Sequence, residues 1–421
     1  MTLFLTRVFF FFLPFQLVFS FGNNDLPVFR LVAIGLLFWW LTAGLLTKEK
    51  ILPPLLLASL LFSWLGIILL SVLFAADPWL SIRKLIFLFT IFPLTLVWYT
   101  VMKTPAARDQ VIRAALWGGS TAALLGFGIF AAQFFLGATT VFHFLVSSVL
   151  PITAGERLSH LVATYPSLLV NIGGATWLRL SALFPDPHGA AYFFGILGCL
   201  AFGMYLSSRS KKFLLMGFVL VFADFLTFSR GGYLGLVAAG GILILMFWQQ
   251  KQWPIRWLLI LIGMLPPLLF LGLPVLERFL STFLLADASS VDRLALWRQA
   301  FETWLLYPWF GLGIGQYAEW LYPGIGQSIP YYAHNLYLDL AVETGFLGLS
   351  FFFFFCGASI VQSWKNIQRN ELFFWGVLAG WALYFTHSVF ETAIFSLPVV
   401  ILCTLLLALP FAAKQVKHPV Q

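Results

Sequence analysis

Residues 51–75 read ILPPLLLASLLFSWLGIILLSVLFA, twenty-five positions without one charged side chain. A helix needs about 20 apolar residues to cross a hydrocarbon core roughly 30 Å thick. The stretch shows none of the period-two alternation of a barrel strand, so it reads as a membrane-spanning helix. Comparable runs recur along the chain. We read twelve spans, near residues 4–21, 28–46, 51–75, 80–101, 111–137, 188–206, 212–228, 231–249, 256–277, 336–360, 372–390 and 393–413. The fold class expected is therefore an all-α integral membrane protein. The first run has no small-residue cleavage site and is taken as a retained span.

Composition agrees. The 421 residues are 61% hydrophobic, 18% aromatic and only 10% charged, against about 25% charged in soluble domains. A soluble globule, a disordered chain and a nucleic-acid binder each need polarity or charge that is absent here. The three cysteines, Cys199, Cys356 and Cys403, fall inside apolar spans, where a thiol behaves as a small hydrophobe, so no disulfide is expected. The net charge of +8 is explained by topology and by anionic lipid head groups. Connections expected on one side hold Lys48, Lys50, Lys103, Arg108, Arg113, Arg209, Lys211, Lys212, Lys251, Arg256, Lys365, Arg369, Lys414 and Lys417; with Arg7 they make 15 of the 24 cations. By the positive-inside rule that side, with both termini, is cytoplasmic.

Five regions follow: an N-terminal five-helix membrane region (1–137), an extracytoplasmic loop (138–187), central membrane helices (188–277), a large extracytoplasmic catalytic loop (278–333) and C-terminal membrane helices (334–421). The two loops are far longer than ordinary helix connections, and long loops that persist are commonly functional. Chemistry is expected there.

Arg230, in Thr227-Phe-Ser-Arg-Gly-Gly-Tyr233, falls in a break too short to be a loop, which sets its guanidinium at the outer rim. Two readings are open. Either it snorkels or pairs with Asp224, or Gly231 and Gly232 let a ligand come close to it. Leu294, Trp297 and Phe301 have helical spacing in a segment suited to the membrane surface, with Arg293 beside them. The alternating Gly311, Gly313 and Gly315 lack the lysine of a phosphate loop and are expected to form a tight turn that brings backbone near a ligand. Ala333-His334-Asn335 directly precedes a long span, where an imidazole is placed to take a proton while helix N–H groups face an anion; the alternative is a structural histidine bonded to a carbonyl. Asn335 is a candidate helix cap. Asp339 and Glu343 lie one turn apart and are expected to face the bundle interior, pairing with cations or fixing the helix. His387 and Glu391, four residues apart, either line the same cavity or form a packing pair.

Ser229-Arg230-Gly231-Gly232, Arg293-Leu-Ala-Leu-Trp297, Tyr307-Pro-Trp-Phe-Gly-Leu-Gly-Ile-Gly315 and Ala333-His334-Asn335-Leu-Tyr337 with Glu343-Thr-Gly345 resemble, in order and spacing, the O-antigen ligase and polymerase superfamily. The resemblance covers roughly residues 175–400. It implies a GT-C-type glycosyltransferase of the bacterial inner membrane, with its site on the extracytoplasmic side. Such an enzyme moves a glycan from an undecaprenyl-pyrophosphate carrier to an acceptor hydroxyl on a glycan or lipid, with inversion and without metal or other cofactor. Carried over by position, Arg230 and Arg293 hold the diphosphate and His334 activates the hydroxyl. Arg179 resembles a further family arginine, although Ala182 and His188 stand where glycine and asparagine are common. Glu343, Asn335, His387 and Glu391 are supporting candidates. The leaving diphosphate gathers negative charge that arginine forks are suited to meet. The other function class is a lipid-linked oligosaccharide flippase or other transporter, which should show inverted repeats and broken midplane helices; neither is evident in the sequence. A structural membrane-assembly protein comes third, and would not need Arg230 and His334 at the rim.

Overall fold

The computed structural model describes residues 1–21, 24–47, 53–249, 288–324 and 332–412. The expected span at 256–277 and part of the 278–333 loop lie outside the described residues. Helices are α1 (Thr2–Phe12), α2 (Val28–Thr47), α3 (Leu55–Ser71), α4 (Pro78–Ile91), α5 (Leu94–Val101), α6 (Pro105–Leu136), α7 (Ala138–Phe144), α8 (Leu150–Thr153), α9 (Glu156–Thr164), α10 (Pro187–Ser208), α11 (Lys211–Leu226), α12 (Arg230–Gln249), α13 (Ala288–Leu306), α14 (Tyr317–Leu321), α15 (Leu336–Gln368), α16 (Phe374–His387) and α17 (Leu397–Ala412). Among the described residues, seven segments are long and apolar enough to cross a membrane: 28–46, 55–74, 78–101, 105–136, 187–208, 230–249 and 336–368. The protein is a mostly helical, multi-pass membrane protein.

Several expectations change in detail. The first apolar run is not one helix to residue 21. It is helical over Thr2–Phe12, and past Pro14, which cannot continue the ladder, the chain enters an antiparallel hairpin of β1 (Val18–Phe21) and β2 (Asn24–Pro27). A second hairpin, β3 (Leu169–Ile172) with β4 (Ala175–Leu178), turns at Gly173 and Gly174, both at positive φ. The fold is thus not purely α. The expected loop 138–187 is built of α7, α8, α9 and this hairpin around a small core that includes Val141, Phe142, Leu150, Val162 and Leu178. The two hairpin regions meet where the Glu156 N–H donates to Ser20 Oγ at 3.3 Å.

α17 is apolar on every face and nearly every residue in it is buried, the pattern of a helix at the centre of a bundle. α10 is likewise enclosed. α10 and α16 touch backbone to backbone: a Cβ on Gly376 would lie 2.4 Å from the Cys199 carbonyl, so a larger residue would push the helices apart.

The span expected at 336–360 extends from 336 to 368 and breaks at Gly345 (φ 68°, ψ −173°). The groups the break releases are satisfied by the glycine-rich segment. Leu312 N–H donates to Val342 O at 2.8 Å, and Phe346 N–H to Pro308 O at 2.7 Å. A Cβ on Gly345 would lie 2.1 Å from Trp309 O, which together with its positive φ excludes other residues. Gly311, Gly313 and Gly315 all have positive φ. Their close approach is to protein and not to ligand space: Gly311 packs on Val342–Thr344, Gly313 on Ala75 and Ser71, and Gly315 on Lys84 and Leu80. Gln316 completes the docking, donating to Asp77 O at 2.7 Å and Ser81 Oγ at 3.0 Å while accepting from Asp77 N–H at 3.0 Å.

Candidate functional site

Three helix N-termini meet behind α16. Asp186 caps α10, accepting from Gly189 N–H at 2.8 Å. Ser229 caps α12, its Oγ accepting from Gly232 N–H at 3.2 Å. Asn335 caps α15, accepting from Tyr337 N–H at 3.0 Å and Leu338 N–H at 3.2 Å, as its position in the sequence suggested. Side chains join the first two ends to α16, and a backbone bond joins the third. His188 Nδ1 lies 2.8 Å and His387 Nε2 3.2 Å from Ser229 Oγ, and Leu336 N–H donates to Ser388 O at 2.9 Å. Helix N-termini carry partial positive charge, so this junction favours an anion.

His334 stands in the left-handed region (φ 49°), an unusual backbone state for a residue other than glycine. Its Nδ1 lies 3.0 and 3.2 Å from the two oxygens of Glu391, while its side chain remains 42% exposed. The carboxylate raises the imidazole pKa above its ordinary value, against opposing effects of burial and of Arg293. Burial alone would push Glu391 up, but His334, with His188 and Arg293, holds it below the usual carboxylate range. Asp186 is pushed up to about 6, first by burial and then by the Glu391 charge. Arg293, half-buried on α13, therefore acts on both members of the His334–Glu391 pair. Trp297, one turn along, sits with its ring 6.2 Å from that of Phe390.

Arg230 is buried as the first residue of α12. The two glycines after it serve packing instead of ligand access: a Cβ on Gly231 would lie 2.3 Å from the His387 ring, and one on Gly232 would lie 2.7 Å from Asp224 Oδ1. Arg179 donates to Thr227 O at 2.8 Å, Ser167 O at 3.1 Å and Phe228 O at 3.4 Å. It thus ties down the turn that presents Ser229 and Arg230. His387 and Glu391 do not pair with each other. Fully buried His387 stacks on Tyr192, centroids 3.7 Å apart, and bonds Ser229, while Glu391 turns to His334. Tyr192 donates to Ser388 Oγ at 3.0 Å and Glu391 O at 3.2 Å. Glu343 lies further along α15 in a 3.1 Å ion pair with Lys84 of α4, as expected of a buried carboxylate that needs a cation.

Sequence reasoning did not single out His188, Ser229, Tyr192 or Lys84 as members of this assembly. Lys84 had a usable signal, since a lysine inside an apolar span is expensive and implies a partner. Ser229 stands in the motif that carries the resemblance, but nothing in the sequence shows that both histidines reach it.

Residues 213–353 match the family model described as O-Antigen ligase. This places that third of the chain with the O-antigen ligase and polymerase superfamily, whose members are membrane enzymes of the ligase or polymerase type. The matched segment contains Arg230, Arg293, His334, Asn335 and Glu343, whereas Arg179, His387 and Glu391 lie outside it. No curated protein matches the chain.

Proposed function

We propose that the protein is a glycosyltransferase of the bacterial inner membrane. It takes a glycan from an undecaprenyl-pyrophosphate carrier and passes it to an acceptor hydroxyl on the extracytoplasmic side, as an O-antigen ligase or a surface-polysaccharide polymerase. The observation that carries this reading is the His334–Glu391 pair within electrostatic reach of Arg293, with His334 and Arg293 both inside the segment that matches that family. With Nδ1 held by the carboxylate, Nε2 is the nitrogen left to take a proton, the orientation a general base requires. As the acceptor oxygen bonds to the anomeric carbon, its proton passes to His334. The bond from that carbon to the diphosphate oxygen breaks, the electron pair leaves with the diphosphate, and the configuration inverts. Arg230 and Arg293 meet the developing charge in place of a metal ion. Arg179, with its donors on carbonyls, acts by holding the Arg230 turn.

The break at Gly345 is a feature a transporter would also show. In known transporters the unwound backbone groups coordinate cargo, whereas here Val342 O and Phe346 N–H are bonded to the 308–312 segment. That favours the enzyme. The test is turnover by purified protein in nanodiscs supplied with lipid-linked donor and acceptor, with excess chelator in one arm. A His334→Ala variant is expected to bind donor normally and turn over about 10² to 10⁴-fold more slowly. Wild-type turnover by that variant would remove the base assignment, and loss of turnover with chelator would remove the metal-free one.

A further inference from the structure

His334 and Glu391 lie 57 positions apart in the chain, on two segments with no regular secondary structure of their own. His334 precedes α15, and Glu391 follows α16. Neither helix fixes the separation of the two side chains, and a hydrogen bond on which a base depends is lost with a shift of about 1 Å. One carboxylate spans the gap. Asp339 Oδ1 accepts the Ala333 N–H at 2.8 Å, and Asp339 Oδ2 accepts the Thr392 hydroxyl. Ala333 is the chain neighbour of His334, and Thr392 is the chain neighbour of Glu391. All three tying residues are buried or at the edge of burial, Asp339 at 3% exposure, Ala333 at 0% and Thr392 at 9%.

We infer that Asp339 is the positioning residue of the His334–Glu391 pair, holding the two segments in register through one oxygen each. The inference rests on the functional reading above, and gives Asp339 a role that a buried helix-fixing carboxylate does not need. A carboxylate suits the task because its two oxygens accept separately and its one-carbon stem leaves little freedom. The adjacent Thr392 N–H also donates to Glu391 Oε1 at 3.1 Å, so a shift of Thr392 displaces the very oxygen that receives His334.

The test reads the geometry directly and does not depend on turnover. The groups acting on His334 are Glu391 from the α16–α17 connection, Arg293 from α13 and Asp339 from α15. Removing Asp339 therefore alters charge as well as geometry, and Thr392→Val is the more discriminating change, because it cuts the tie while the Asp339 side chain and its bond to Ala333 N–H stay in place. In histidine-labelled full-length protein in nanodiscs, with the His334 signal assigned by loss in His334→Gln, the imidazole pKa is measured by NMR. Thr392→Val is expected to lower it by about one unit, as loss of a neighbouring carboxylate does, and Thr392→Ser, which keeps the hydroxyl, to restore it. Turnover should fall about tenfold or more in Thr392→Val with donor KM within about twofold. Should Thr392→Val fail to accumulate, Asp339→Asn, which keeps one acceptor for Ala333 N–H, can donate its NH2 to the Thr392 hydroxyl oxygen and loses the charge, is expected to hold the His334 pKa near that of the wild type. An unmoved pKa in Thr392→Val, or a fall in Asp339→Asn as large as in Asp339→Ala, overturns the inference. A moved pKa with unchanged turnover leaves Asp339 as the staple and removes the base role from His334, so the two ideas fail separately.

Discussion

Replacing Glu391 with Gln removes one charge and almost no volume, which makes it the sharpest probe of the proposed base. In the wild type a carboxylate oxygen lies 3.0 Å from His334 Nδ1. An opposite charge at that range typically moves a pKa by about 1 to 3 units. His334 is 42% exposed at its side chain, and solvent screening places the expected shift at the low end, about one unit. The direction is fixed by the sign of the charge: Glu391 favours imidazolium, so its loss lowers the His334 pKa. A base works when deprotonated, so the acidic limb of kcat/KM against pH should move about one unit toward acid in Glu391→Gln. The plateau should fall as well. A glutamine amide can turn its NH2 to Nδ1, which puts the imidazole proton on Nε2 and blocks the base, and oriented bases contribute about 10² to 10⁴-fold. The assay is transfer in nanodiscs at saturating acceptor and limiting donor, from about pH 5 to pH 9. The same pair makes a stability statement. Because the folded pKa of His334 is raised, its contribution is full below the unfolded value near 6.5 and is lost as pH rises through the folded value. An acidic limb at the same pH in wild type and variant would refute the reasoning, since it would mean that the group titrating in catalysis does not feel Glu391.

Arg230→Lys keeps a charge but loses the planar fork, so transfer should fall severely while insertion and accumulation, read by immunoblot of membranes, stay normal. Gly345→Ala should reduce folded protein sharply in a detergent thermal-shift assay, because the added Cβ would lie 2.1 Å from Trp309 O at a positive φ; Gly357→Ala, with open space around its Cα, is the control. Tags after residue 210 and after residue 366 should report a cytoplasmic location and one near residue 325 an extracytoplasmic location; a cytoplasmic tag near 325 would overturn the topology and the proposed side of the reaction.

The membrane class and most helices were legible because each requires only local information: a run of apolar residues about 20 long, with proline or polar residues at its ends. Asn335 was legible as a cap for the same reason, since its partners are the residues two and three positions on. Three kinds of feature were not. The helix at residue 2 stops early and the chain returns as a hairpin, a change marked by Pro14 and blurred by the mostly apolar residues that follow it. The break at Gly345 sits inside a segment that otherwise reads as one long helix, and what permits it is a set of hydrogen bonds from residues about 35 positions upstream. Clearance for a ligand is one of the two readings the sequence leaves open for the glycines after Arg230, yet the space beside them is filled by His387 and Asp224, residues on other helices.

The site residues divide along the same line. Arg230, Arg293 and His334 could be picked out because charge in an apolar protein is costly wherever it occurs, and its presence demands a reason. Which partner each would take could not be picked out, since pairing depends on how the chain folds back. Glu391 stands four residues from His387, a spacing that suggests a helical pair, but α16 ends at His387 and the chain beyond it turns Glu391 toward His334. Lys84 makes the same point across a greater distance. The first five spans showed only hydrophobic character in the sequence, and the O-antigen ligase match begins well after them, at residue 213. Yet α4 supplies the cation for Glu343, and the α3–α4 corner receives the glycine segment through Ser71, Asp77 and Ser81. The glycine segment in turn satisfies the break in the helix whose first turns carry Asn335 and Asp339. The N-terminal half is therefore joined by polar contacts to the helix that carries Asn335 and Asp339, and its part in the site lies in those contacts, beyond the reach of its composition.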